Sequence, residues 1–244
     1  MIFEDLSWKS SDLEPFTAIN IALIGFVIYW FINKSEKIKV NFYNKYNSDL
    51  ASQKHILFTK YQGLLWMGIV PLIICLILIP NYSLVDYGLT IIPETSLKSV
   101  LWILGISCIV VPMNYFNSRK KKHLEVYPQI RAKKWTKTLM AKNALGWFVY
   151  LLGYEVLFRG ILLIPVADHF GVWPAIAVNV ALYSGTHIPK GLDETIGAIP
   201  LGIVLSLLTL NTGTIWIALF VHCALAWSNS FSSLKHHPEM EIVK

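Results

Sequence analysis

LLGYEVLFRGILLIP, residues Leu151 to Pro165, decides how the rest of the chain is read, because it sets Glu155 and Arg159 one helical turn apart inside an apolar run long enough to cross a bilayer. An ionisable side chain at membrane depth costs about 2.5 to 3.5 kcal/mol on insertion scales, so such residues face a protein or water-filled interior. The acid precedes the base at i, i+4, the favoured order for a helical ion pair, and the two charges can neutralise each other. The motif has two readings. It is a device that fixes helix packing, or it is part of a polar site.

The composition makes the membrane explicit. Of 244 residues, 55% are hydrophobic and 15% charged, and the mean hydropathy is +0.51, too apolar for an ordinary soluble domain of this length. The net charge of +6 does not point to nucleic acid, because the Lys and Arg residues sit between apolar segments, where they act as topology signals. Cys75, Cys108 and Cys223 fall inside apolar segments at unrelated spacings and read as small packing residues. The opening MIFEDLSWKSSDLEPF is acidic and has no basic n-region, so it does not read as a cleavable signal peptide, and the first span is expected to direct insertion.

Four segments approach the length needed to span a hydrocarbon core, Pro15 to Asn33, Gly63 to Asn81, Ser99 to Phe116 and Ala144 to Val166. Three shorter ones follow, Val172 to His187, Ile196 to Leu210 and Thr214 to Asn229, separated by turn-like HFG, PKGLDE and NTG. The expectation is an all-α polytopic bundle of about seven helices. It forms a single domain, with three leading helices and basic loops over 1–143 and a polar-residue-bearing group of four over 144–230. Lys34, Lys37, Lys39, Lys45, Lys54 and Lys60 mark the first loop and NSRKKKHLEVYPQIRAKKWTKTLMAK the third; both are expected to be cytoplasmic. The N-terminus, with Glu4, Asp5, Asp12 and Glu14 against Lys9, and the loop around Asp86 and Glu94 are expected outside, which leaves the C-terminus inside.

The last helices carry the polar residues. In NVALYSGTHIPKGLDE, Asn179, Tyr183 and His187 recur every four residues and line one helical face. In ALFVHCALAWSN, His222 has no polar neighbour on its own helix face before Asn229, so it needs a partner from another helix. Glu155, His187 and His222 therefore sit on three separate apolar segments, and their convergence explains all three at once. One carboxylate and two imidazoles can hold a divalent metal such as zinc with an open water position. They can equally act without metal, taking a proton from water and stabilising an oxyanion. No HExxH or GxSxG signature is present to choose between them.

Between Ala144 and Ser230, YEVLFRG, YSGTH and HCALA resemble, in order and separation, the EExxxR, FxxxH and HxxxN/D motifs of the CPBP intramembrane proteases, which include the CAAX prenyl proteases, the Abi group and bacteriocin-related members. The resemblance matches Glu155, Arg159, His187 and His222 residue by residue. Two positions depart from it: Tyr154 stands where the first glutamate of the pair belongs, and Ala226 where the Asn or Asp belongs. Glu194, in HIPKGLDE, and Asn229 are the candidate replacements; each also reads as an ordinary polar residue near a helix end.

What the resemblance implies is a membrane-embedded endopeptidase acting on a membrane-associated protein or peptide, with Glu155 and His187 activating water, His222 stabilising the oxyanion and Arg159 in support. The expected cofactor is none, the glutamate-based chemistry being favoured over zinc held by Glu155, His187 and His222. The expected location is integral to a bacterial cytoplasmic membrane. The competing function is a non-catalytic relative acting in binding, immunity or regulation. A transporter is third, because no internal repeat with interrupted helices is apparent.

Overall fold

The computed structural model describes residues 7–243; Glu4 and Asp5, used above for topology, lie outside them. Helix α1 (Leu13–Asn33) is followed by the surface helix α2 (Glu36–Lys45), then α3 (Ser48–Gly63), which runs on through a π-helical segment, Leu64–Ile69, into α4 (Val70–Leu78). Helix α5 (Pro93–Asn117) precedes the short α6 (Lys121–Leu124), and α7 (Lys137–Glu155) continues through a second π-helical segment, Val156–Leu163, into α8 (Ile164–Phe170). Helices α9 (Val172–Gly185), α10 (Leu192–Thr212) and α11 (Trp216–His236) complete the bundle. The strands are β1 (Lys134–Trp135) and β2 (Glu241–Ile242), a parallel two-residue pair that ties the third loop to the C-terminal tail.

The helix starts follow from local chemistry. Ser35, Asn47 and Thr136 cap α2, α3 and α7 by accepting the amides of Ile38, Leu50 and Leu139, which otherwise have no partner in the first turn. Gly213 closes α10 at φ 68°, in the left-handed region that a side chain disfavours.

Among the described residues, six helices are long and apolar enough to cross a membrane, including the continuous Ser48–Leu78 and Lys137–Phe170. The seventh expected segment forms α9, whose 14 residues rise about 21 Å at 1.5 Å each, short of a hydrocarbon core of roughly 30 Å. The chain nevertheless changes face there. One end of the bundle gathers Glu14 with Asn81 (3.4 Å), Tyr82 with Asp168 at the end of α8 (2.7 Å) and Thr95 with the Thr212 carbonyl (3.1 Å). The other end gathers Asp49 with the Lys133 amide (3.0 Å), Ser118 with His236 (3.0 Å) and Lys122 with Asp193 (3.2 Å). Between Asp168 and Asp193 the chain thus passes from the first end to the second, the turn after α9 completing what the helix alone is too short to span. Both basic loops and the C-terminal tail share one end, and the start of α1 lies at the other.

The second span differs from expectation at its start: the helix begins at Ser48 and takes in Lys54 and Lys60. Lys60 is buried, with its ammonium 3.0 Å from the centre of the Trp147 ring and 3.1 Å from Gln129 Oε1. These contacts let a cation sit at the inner edge of the bundle. Small residues bring α3 and its π extension against α7. A Cβ on Gly153 would stand 2.7 Å from Leu64 Cα and 2.8 Å from the Gly63 carbonyl, so the backbones touch where dispersion and close fit, rather than water exclusion, hold membrane helices together.

Candidate active site

The carboxylate of Glu155 lies at the last α-helical residue of α7, and Arg159 follows within the π-helical turn. Such turns are rare and occur frequently at functional sites. Both side chains are fully buried, with Arg159 Nε 3.8 Å from Glu155 Oε2. Helix α9 meets this pair through Asn179, whose Oδ1 accepts from Arg159 Nη1 at 3.1 Å and from Ser206 Oγ of α10 at 3.3 Å, and whose amide donates to the Phe158 carbonyl. A polar layer thus links three helices in the apolar interior, where unpaired groups are costly.

Helix α11 brings His222 to the same place. Its Nδ1 is hydrogen-bonded to Glu155 Oε1, 67 residues away in sequence, and its Nε2 lies 2.9 Å from the Tyr183 hydroxyl. The Arg159 guanidinium sits over the Tyr183 ring at 4.7 Å from its centre. His187 also packs on Tyr183, with ring centres 4.9 Å apart. His187 Nδ1 is 3.0 Å from the Tyr183 carbonyl, which can only accept, so Nδ1 carries the proton and Nε2 of the neutral ring is an acceptor. Tyr154, buried, is 2.8 Å from Thr186 Oγ1; since that hydroxyl donates to the Tyr183 carbonyl at 2.7 Å, the phenol is the donor in this contact.

Of the residues singled out in the sequence, Glu155, Arg159, His222 and Tyr154 lie together, and His187 joins them across Tyr183. Glu194 and Asn229 do not reach the pair. Glu194 is held by Lys190 at 3.5 Å near the basic end of the bundle, beside Tyr127, whose phenol burial and this carboxylate both push up. Asn229 also neighbours Tyr127. Ala226 packs with Trp147, Leu151, Leu219 and Cys223, an apolar setting that suits its methyl group. Tyr183, Asn179 and Thr186 take their places in the site only in the fold; the four-residue recurrence of Asn179, Tyr183 and His187 is the sequence signal that points to two of them.

Glu155 Oε2, Arg159 Nε and Arg159 Nη2 are buried without a hydrogen-bond partner. Three such atoms around one ion pair are places for water, which satisfies buried polar groups at two to four partners each. Among the described residues no group of three His, Cys, Asp or Glu side chains converges as a metal site would require. In this arrangement the nearest donors, Glu155 Oε1 and His222 Nδ1, are spent on each other.

Residues 136–228 match the family model described as Rce1-like, type II CAAX prenyl endopeptidase Rce1-like. Comparison with curated proteins and with solved structures finds no match. The matched segment runs from the cap of α7 into α11 and contains Glu155, Arg159, His187 and His222.

Proposed function

We propose, from the match of residues 136–228 to the type II CAAX prenyl endopeptidase Rce1-like family model, that the chain hydrolyses a peptide bond of a membrane-associated protein or peptide at the Glu155, His187 and His222 site. The observation that carries the reading is the contact of Glu155 with His222 from another helix, with Glu155 Oε2 left over as an acceptor. Water bound there and at His187 Nε2 attacks the carbonyl carbon. As the new C–O bond forms, one water proton passes to His187 Nε2 while the other stays on the attacking oxygen, hydrogen-bonded to Glu155; the proton held by His187 then goes to the amine nitrogen as the C–N bond breaks. His222, backed by Glu155, serves the carbonyl oxygen as its charge develops, in a site where a fixed donor is worth far more than in water. Arg159 balances the carboxylate and locks it to Asn179. The proposed setting is a bacterial cytoplasmic membrane, with the basic loops inside.

A second reading, a non-catalytic relative that binds without cleaving, is favoured by one observation: Tyr154 fills the first glutamate's position and its hydroxyl is committed to Thr186. The experiment that separates the two is cleavage of a co-expressed membrane-tethered peptide library in membranes containing the protein, with Glu155→Gln as the control. Products that vanish in the control support the endopeptidase. Absence of products with the parent supports the second reading.

A further inference from the structure

One buried residue contacts both histidines, and no role has been assigned to it. Tyr183 is 1% exposed; its carbonyl fixes His187 Nδ1 at 3.0 Å, its hydroxyl meets His222 Nε2 at 2.9 Å, and its ring lies under the Arg159 guanidinium at 4.7 Å. The family-type motif has Phe at this position, so the hydroxyl is this chain's own addition to the site.

We propose that the Tyr183 hydroxyl is a further catalytic residue of the endopeptidase reading, the donor that meets the carbonyl oxygen of the scissile bond, with His222 acting through it. The chemistry follows from the order of contacts. A His222 ring carrying both protons gives Nδ1–H to Glu155 and Nε2–H to the phenol oxygen, and the phenol hydrogen is then released toward the substrate. Donation into the phenol oxygen polarises its O–H bond, and the guanidinium over the ring face favours negative charge on the phenol. In that state Glu155, Arg159 and His222 sum to one surplus positive charge in a water-poor interior. The oxyanion formed as water adds to the carbonyl cancels it, so the cluster complements the transition state rather than the substrate. No bond to Tyr183 forms or breaks beyond its shared proton.

The test is Tyr183→Phe, which keeps the ring, the cation contact and the backbone carbonyl that holds His187. Loss of one oxyanion donor lowers kcat by about 10²–10³-fold, and KM is expected to stay near the parent value because the ground-state carbonyl is bound weakly. Combined with His222→Ala, it should cost no more than His222→Ala alone, since both act through one chain. A parent that cleaves while Tyr183→Phe keeps its kcat, or a double variant whose losses multiply, overturns the proposal and leaves the endopeptidase reading standing. A parent that cleaves nothing overturns that reading and this one with it. If Tyr183→Phe does not accumulate, 3-fluorotyrosine at position 183 keeps the shape and changes the donor strength of the phenol; an unchanged rate overturns the proposal.

Discussion

The hydroxyl of Ser118, at the end of α5, lies 3.0 Å from Nδ1 of His236, the last residue of α11. Two helices far apart in sequence therefore run parallel and finish at the same end of the bundle, where the basic loops also lie. That fixes relative sidedness without reference to charge counting.

The charge pattern adds the cellular assignment: the basic end is expected to face the cytoplasm. In a cysteine-free background, a cysteine at exposed Lys121 should resist a membrane-impermeant maleimide added to intact cells, and one at exposed Val85 should react. The reverse pattern would invert the topology and the side from which substrate enters. Ser118 is itself buried, so it makes a poor labelling position.

Arg159→Ala is expected to destabilise the bundle by about 3 to 5 kcal/mol, because it leaves the Glu155 carboxylate buried and uncompensated. It also strips Asn179 of a donor and Tyr183 of its stacked cation. Thermal unfolding in detergent reads the loss directly; a variant that melts with the parent would show that the pair carries no structural weight.

Glu155→Gln and His187→Ala are expected to abolish cleavage. The two should part on stability, since the first leaves Arg159 without its counter-charge while His187 is only half-buried. Cleavage assays and melts run on the same preparations separate chemistry from folding. Full activity in either variant removes that residue from the water-activating role.

Cleavage is expected to survive exhaustive chelation, in keeping with a glutamate-based mechanism in which Glu155 has Arg159 and His222 as partners. Activity lost on chelation and restored by added zinc would reassign the site to a metal.

Gly153→Ala should cost roughly 1 to 3 kcal/mol, the range for overpacking a tight site, because the new methyl would meet backbone rather than a flexible side chain. The readout is again the unfolding midpoint, compared with Gly105→Ala, where a Cβ meets open space.

Much of this was legible in the sequence, for reasons that differ from residue to residue. Apolar length announces spans, and a charge inside one is too costly to be incidental, so Glu155, Arg159 and His222 stood out. Lys60 did not, since loop counting cannot tell that Trp147 and Gln129 will receive a lysine at the inner edge of the bundle. Tyr183 shows in the sequence only as part of a four-residue recurrence in an aromatic-rich chain; its hydroxyl's distance to His222 and the Arg159 guanidinium over its ring distinguish it from core filling. Helix α9 read as a weak span because it is short, and its crossing depends on a turn that hydropathy does not register.

The π-helical segment at Val156–Leu163 was invisible for a further reason: periodicity assumes 3.6 residues per turn throughout, and here a turn takes up extra chain. The segment is therefore a rotational clutch between two apolar helices. Deleting one residue within it, Leu157 for example, lets the backbone relax to ordinary α geometry with the downstream helix close to its original orientation, but moves Arg159 from i+4 to i+3 relative to Glu155. A chain shortened in this way stays as apolar and as helical as its parent while Arg159 meets the carboxylate and Asn179 one position out of register, so the register of this helix, and not only its residue types, carries the information that builds the site.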